Sequence, residues 1–282
     1  IIITFFVITC SIGLIASPND AFANVTFVDT FDVPSPVSKI TAVTFNSDGT
    51  KMFVVGTDFD KIYEYPCSTG FDTSTCNTAG ASSFDVFTAD NYPQGITFNT
   101  DGTKLFVVGS TTNDVYEYPC STGFDVSTCN AGAASVEDTT AQDTNSMGLA
   151  FNSDGTKMFV LGDAGNDVNE YTLSVGFDVS STVNFIDSFE LSGLDETNEY
   201  LKGLAFNSDG TKMFVIGITS DKVVEYPCST GFDVSTCDGT KVSSFDVSEQ
   251  EENPTGLEFN SDGTKMFVTG TTGAGNDAVH EY

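Results

Sequence analysis

The phrase Phe-Asn-Ser-Asp-Gly-Thr-Lys-Met-Phe-Val, first met at Phe45, returns with little change four more times. Its leading phenylalanines are Phe45, Phe98, Phe151, Phe206 and Phe259, spaced by 53, 53, 55 and 53 residues. A fixed period of that length marks one supersecondary unit copied in tandem, each copy burying its apolar surface against the next.

Within the second copy, Gly95-Ile96-Thr97-Phe98 reads as a short strand and Asp101-Gly102 as a tight hairpin turn. Lys104 to Gly109 is a second strand, rich in aromatic and β-branched residues, and Asp114 to Tyr118 a third. After the loop from Pro119 to Cys129, a weaker fourth strand lies near Ser135-Val136. Four short antiparallel strands per unit, without helical periodicity, predict an all-β fold: a β-propeller of five four-stranded blades. A β-solenoid is the rival, but its coils carry parallel strands, and an Asp-Gly hairpin demands antiparallel neighbours.

The segment Asp48 to Gly56, with the Glu-Tyr strand end that follows, resembles the YVTN-type β-propeller repeats of bacterial and archaeal surface proteins. Ser121 to Thr128, Ser-Thr-Gly-Phe-Asp-Val-Ser-Thr, is similar to a recurring subgroup of those repeats. The likeness covers essentially Val25 to Tyr282. It implies the fold and leaves function open, because that family includes structural, binding and occasional enzymatic members.

Residues 1–23 differ in character. Ile1 to Ala16 is apolar, and Ala21-Phe22-Ala23 fits the small-x-small rule of a signal-peptidase site. The expected leader is therefore 1–23, its basic start lying upstream, with an uncleaved membrane anchor as the alternative. The propeller is expected over 24–282, with repeats at about 34–86, 87–139, 140–192, 193–247 and 248–282. Val25 to Val33 matches Val183 to Leu191 position by position, which makes it a fourth strand placed to complete the last blade. Such a strand closes a ring and removes sheet edges. A fragment of a larger ring is the other reading.

Beyond the leader, six cysteines fall into pairs with one nine-residue offset: Cys67 and Cys76, Cys120 and Cys129, Cys228 and Cys237. The third repeat has Leu173 and Thr182 there, so both members are missing together, as a disulfide predicts. Two cysteines without further ligands cannot complete a tetrahedral metal site. Each bridge would contribute roughly 2.5 kcal/mol on the chain-entropy model. Disulfides and a leader together predict a secreted, extracellular or cell-surface protein.

Forty acidic residues against ten lysines and no arginine give a net charge of −30. That surface excludes nucleic acid and anionic membranes as partners. Lys51, Lys104, Lys157, Lys212 and Lys265 occupy one repeated turn, and Glu64, Glu117, Glu170, Glu225 and Glu281 one repeated strand position. Fivefold recurrence marks these as scaffold, with each glutamate expected to meet the lysine of its own hairpin. His280, the only histidine, is replaced by Tyr63, Tyr116, Asn169 and Val224 elsewhere and is read as structural. The usual histidine-based acid–base and nucleophile systems are thereby removed.

In a propeller the Asp-Gly turns and the cysteine-bracketed loops share one face, and here they are nearly identical between copies. The other face carries what varies: links such as Asp195 to Lys202 and Glu249 to Asn253, and hairpins such as Asp163 to Asp167 and Gly273 to Asp277. Variable loops on a rigid scaffold are where binding is expected, with a cell-surface protein or polysaccharide as partner. Asp48 and its equivalents fit a turn rather than a calcium loop. Calcium is better sought at Glu258, Asp195, Glu196 and Glu199. Glu258 stands where other repeats have Thr44, Thr97, Ala150 and Ala205 on the innermost strand. Asn24-Val25-Thr26 is one glycosylation sequon. The leading expectation is a non-enzymatic interaction or surface-layer module, with calcium as its candidate ion because carboxylate loops attract divalent cations. The alternatives are a calcium-dependent hydrolase or lactonase using pore carboxylates and a glycosidase using two loop carboxylates.

Overall fold

A computed structural model describes residues 22, 24–35, 37, 39–58, 60–86, 90–191, 200–271 and 277–282. The predicted leader apart from Phe22, most of the hairpin that starts at Gly273, and Asp195, Glu196 and Glu199 lie outside the described residues.

A single strand, β1 (Asp29–Asp32), precedes the first full blade. That blade holds β2 (Ile40–Phe45), β3 (Lys51–Gly56), β4 (Lys61–Pro66) and β5 (Ser82–Asp85). The second holds β6 (Pro93–Phe98), β7 (Lys104–Gly109), β8 (Asp114–Pro119) and β9 (Ser135–Asp138). The third holds β10 (Ser146–Phe151), β11 (Lys157–Gly162), β12 (Asp167–Leu173) and β13 (Val183–Glu190). The fourth holds β14 (Leu201–Phe206), β15 (Lys212–Gly217), β16 (Lys222–Pro227) and β17 (Ser243–Asp246). The fifth is built from β18 (Pro254–Phe259), β19 (Met266–Thr271) and β20 (Asp277–Glu281), with β1 as its fourth strand. All pairings are antiparallel, so five four-stranded blades form the predicted propeller. Thr30 faces His280 and Asp32 faces Ala278 where β1 closes the ring. The predicted strand from Val25 is shorter in fact: only 29–32 join the ladder, although the Val28 N–H still reaches Glu281 O at 2.7 Å.

The second strand of each blade is buried along nearly its whole length, because blades stack face to face and leave neither side of an inner strand to water. The core is consequently divided among the five blade junctions. Phe53 meets Phe98, Phe106 meets Phe151, Phe159 meets Phe206, Phe214 meets Phe259 and Phe267 meets Phe45, with ring centroids 4.4 to 4.7 Å apart. Innermost strands crowd each other around the channel. A bulge follows the first residue of each, and at Gly256 a Cβ would come within 2.8 Å of the Ala42 backbone.

All three predicted disulfides are present: Cys67–Cys76, Cys120–Cys129 and Cys228–Cys237. In the third blade the ladder itself takes over, with pairing continued to Leu173↔Val183 and β13 lengthened to eight residues. The three bridged loops each carry a short 3-10 turn that the strand periodicity did not reveal.

The repeated charges form a latch between blades. Each turn lysine pairs with the glutamate of its own blade: Lys51–Glu64 at 2.7 Å, Lys104–Glu117 at 2.8 Å, Lys157–Glu170 at 2.7 Å, Lys212–Glu225 at 3.2 Å and Lys265–Glu281 at 2.6 Å. The other glutamate oxygen reaches into the next blade's loop. It accepts the N–H of Val126 on Glu64, Val179 on Glu117, Val234 on Glu170 and Thr73 on Glu281, at 2.9 to 3.1 Å. The lysine also donates across the junction, Lys51 to Phe124 O and Lys104 to Phe177 O, with Lys157 to Phe232 O and Lys265 to Phe71 O alike. Removing one member strands a buried charge and a buried N–H together. Glu117→Ala is expected to cost about 3 kcal/mol, measured by urea unfolding. A loss near that of an exposed substitution would show that the latch is ornamental.

Candidate functional site

The latch is described in full at four junctions, and at the fifth the described residues show its Lys212–Glu225 pair. In the first four blades the loop phenylalanine (Phe71, Phe124, Phe177 or Phe232) sits at a positive φ of 53 to 56° and hydrogen-bonds through its N–H to the turn glycine carbonyl of its own blade. Its ring joins the junction pair: Phe71 lies 5.4 Å from Phe45, Phe124 5.3 Å from Phe98, Phe177 5.4 Å from Phe151 and Phe232 5.5 Å from Phe206. In the fifth blade β20 pairs with β1. At the junction of Phe214 and Phe259 the Phe22 ring lies 6.1 Å from Phe214, and Lys212 reaches Glu225. A cavity of about 960 Å³ lies there, bounded by Phe206, Phe214, Phe232, Phe259, Asn260 to Met266 and Tyr282. It runs inward to Thr97, Ala150, Ala205 and Glu258 at the channel.

Glu258 thus lines the channel end of this cavity. It is half-buried in the wall of the cavity. That enclosure pushes its pKa up to about 7, against the opposing Phe259 N–H and Thr44 hydroxyl. The carboxyl is therefore near half-ionised at neutral pH.

The variable face carries a second set of groups. Asp143 accepts the N–H of Gly165 at 2.6 Å, and Asp163 accepts that of Leu201 at 2.7 Å and the Asn145 amide at 2.8 Å. Burial raises Asp167 to about 6, opposed by Asn169 and helped by Asp143 and Glu190. Burial also lowers Lys202, partly offset by the Asp163 carboxylate. Tyr92 and Tyr200 occupy equivalent link positions, their carbonyls accepting the N–H groups of Ser110 and Ile218, and their rings stand out at 54% and 58% exposure.

Several sequence-predicted residues prove structural in their contacts. Asp48, Asp101, Asp154, Asp209 and Asp262 each bind the hydroxyl and N–H of the threonine two residues on, which holds their carboxyls below the usual range. His280 shares a 3.0 Å hydrogen bond with Thr30 across the closing strand pair, and its other nitrogen lies 3.5 Å from the buried Glu251. That pairing was missed because Glu251 belongs to a link whose packing has no sequence signature. Among the described residues no three His, Cys, Asp or Glu side chains converge as metal ligands, so Glu258 stands without carboxylate company there. Asn24 is exposed beside the cavity. The loop phenylalanines were also missed as junction residues. Their signal was the recurrence of Gly-Phe-Asp at 70, 123, 176 and 231.

Because the folded-state pKa of Glu258 lies above the ordinary value of 4.5, the native chain holds that proton more tightly than the unfolded chain. Its contribution is full below pH 4.5 and is lost as pH rises through about 7. Glu258→Gln is expected to gain on the order of 2 kcal/mol over wild type between pH 4.5 and 8. Parallel unfolding curves of the two proteins across that range would refute the shift.

No known protein family's sequence pattern matches the chain, and no curated protein matches it. Solved structures do. The β-propeller domain of Cps50 (Swd1) from Myceliophteria thermophila is 8% identical over 90% of this chain and 98% of its own, with a TM-score of 0.49. A luciferin-regenerating enzyme is 11% identical over 90% of this chain and 94% of its own, with a TM-score of 0.51. A putative 6-phosphogluconolactonase from Bacteroides uniformis is 12% identical over 81% of this chain and 62% of its own, at 0.47. Among the described residues no helix is long and apolar enough to cross a membrane. The three disulfides fit an oxidising environment. By fold, the chain is a five-bladed β-propeller.

Proposed function

We propose that this chain is an exported, non-enzymatic β-propeller of the YVTN-repeat type, an interaction or surface-layer module that takes a cell-surface polysaccharide or protein on its variable face. The observation that carries the reading is the pair of exposed tyrosines, Tyr92 and Tyr200, at equivalent places on a rigid frame. Tyrosine offers a large amphipathic contact at small entropic cost. Its ring suits the apolar face of a sugar, and the net charge of −30 favours neutral glycans over polyanions. The opposite face supports this division of labour, since its repeated carboxylates are spent on turns and latches. Tyr92→Ala with Tyr200→Ala is expected to weaken binding of neutral cell-wall polysaccharide about tenfold, or about 1.4 kcal/mol, without lowering Tm. Calorimetric titration that finds unchanged affinity would overturn the reading.

A second reading rests on Glu258, whose pKa of about 7 within a cavity suits proton transfer. It is a calcium-dependent hydrolase or lactonase, with Asp195, Glu196 and Glu199 as further ligand candidates. Its signature is a saturable rise of Tm with calcium, reversed by EDTA, of about 2.7 kcal/mol at 100 times Kd. Lactone hydrolysis lost in Glu258→Gln completes it. Without both, the interaction module stands.

A further inference from the structure

The strand that closes the ring is tied to the first blade by a strained link. The arm that carries β1 runs to the buried Val33, β2 begins at Ile40, and six residues lie between them. Lys39, the last of the six, has a φ of +51°, a left-handed conformation that costs a residue with a Cβ. Tyr92, Asn145 and Asn253 hold the same place in their blades, and their carbonyls accept an N–H from the second strand as that of Lys39 does from Thr57. None of those three has a positive φ. What sets Lys39 apart is the chain before it, where the Val37 N–H closes a tight turn on Pro34 O at 3.2 Å. Pro34 and Pro36 bias the residues preceding them towards extended backbone, against such a turn. The Lys39–Asp58 ion pair at 2.7 Å does little to offset the strain, because its lysine is 69% exposed.

The contacts of the arm lie outside this link. Asp29 to Asp32 pair with Glu281 to Ala278, the Val28 N–H reaches Glu281 O at 2.7 Å and the Val33 N–H reaches Asp277 O at 2.8 Å. Thr30 shares its hydrogen bond with His280, Phe27 meets Tyr282 edge-on at 6.0 Å, and Phe31 lies 5.2 Å from Tyr65 of the first blade. Each of these joins the arm to the fifth blade or to the first, and each would form equally with an identical arm from another molecule.

We propose that β1 exchanges between two copies of this chain, the arm of each completing the fifth blade of the other. The partner is a second copy because the interface already exists within one molecule, and only the identical sequence reproduces its register and its ring contacts. Exchange is reciprocal, which makes the contact two-fold and closed. The link then runs from one molecule to the other, and its six residues, extended, span about 21 Å. The turn between Pro34 and Val37 opens, and Lys39 returns to an ordinary φ. A short link holds the arm to its own blade at an effective concentration on the order of 1 mM, which the exchange must overcome. Relief of the left-handed residue favours exchange by about tenfold at each of two links, which brings dimerisation into the micromolar range. This association does not depend on what the variable face binds.

The test marks the two sides of the closing pair on different molecules. Asp32 faces Ala278 across β1 and β20, so Asp32→Cys is made in one full-length chain and Ala278→Cys in another. The two are unfolded together in urea with their native disulfides intact, refolded at about 100 μM, a concentration above the micromolar range argued for exchange, and oxidised. A covalent dimer is expected in the mixture, well above its level in either variant alone or in wild type. No excess in the mixture overturns the proposal, since molecules that keep their own β1 never bring these positions together. Light scattering on chains without added cysteines gives the second reading. Lys39→Gly accepts the left-handed φ freely and should weaken dimerisation about tenfold or more, whereas Lys39→Ile should strengthen it. A wild-type chain that stays monomeric at 100 μM, or equal dimer fractions in wild type, Lys39→Gly and Lys39→Ile, likewise overturns the proposal. If the cysteine variants fail to fold, that series decides alone.

Discussion

The buried glutamate of the third strand is the contact on which the ring depends. A single carboxylate, 1 to 9% exposed along its side chain, satisfies a lysine from its own blade and a backbone N–H from the next. Dispersion between phenylalanine pairs is nondirectional and would tolerate blades sliding over each other. The charge-assisted hydrogen bonds do not, because misregistered blades leave a carboxylate and an N–H buried together without partners. Apolar packing therefore supplies the cohesion of the ring, and the latch fixes the angle at which each blade meets the next.

Much of this was legible in the sequence because repetition removes ambiguity. One Asp-Gly beside a β-branched run is a weak hairpin signal, whereas five at a constant period fix strand number, strand order and the face of each loop. The nine-residue cysteine offset was readable for the same reason, and so was the pairing of Lys104 with Glu117 across one hairpin. What escaped were contacts between blades. Val126 meeting Glu64 joins residues 62 apart, and no local pattern announces which loop folds over which neighbour. The 3-10 turns at Thr73, Val126 and Val234 were hidden similarly, since three residues are too few to show a period.

The candidate sites were legible in proportion to how far they break the repeat. Glu258 was singled out because threonine or alanine stands at that position in the other copies, and the structure places it on the channel with a carboxyl poised between its two charge states. Tyr92 and Tyr200 share their place in the links with Lys39, Asn145 and Asn253, so no one residue type there served as a reference against which to notice them. Exposure of the two rings, which only the folded ring provides, is what sets them apart.

Closure by β1 has a consequence that follows from topology alone. In the fifth blade β20 and β1, far apart in the chain, pair as the third and fourth strands that follow one another in the other blades. Phe214, Lys212 and Gly263 retain the residue types found at the other four junctions. Strand exchange repairs the sheet edge, because backbone hydrogen bonds are indifferent to where a strand originates. Contacts on the turn face are of another kind, because each depends on a particular side chain on a particular loop. Closure by strand exchange therefore keeps the repeat more fully in the sheets than in the loops: the four-stranded sheet recurs five times and the Gly-Phe-Asp loop four.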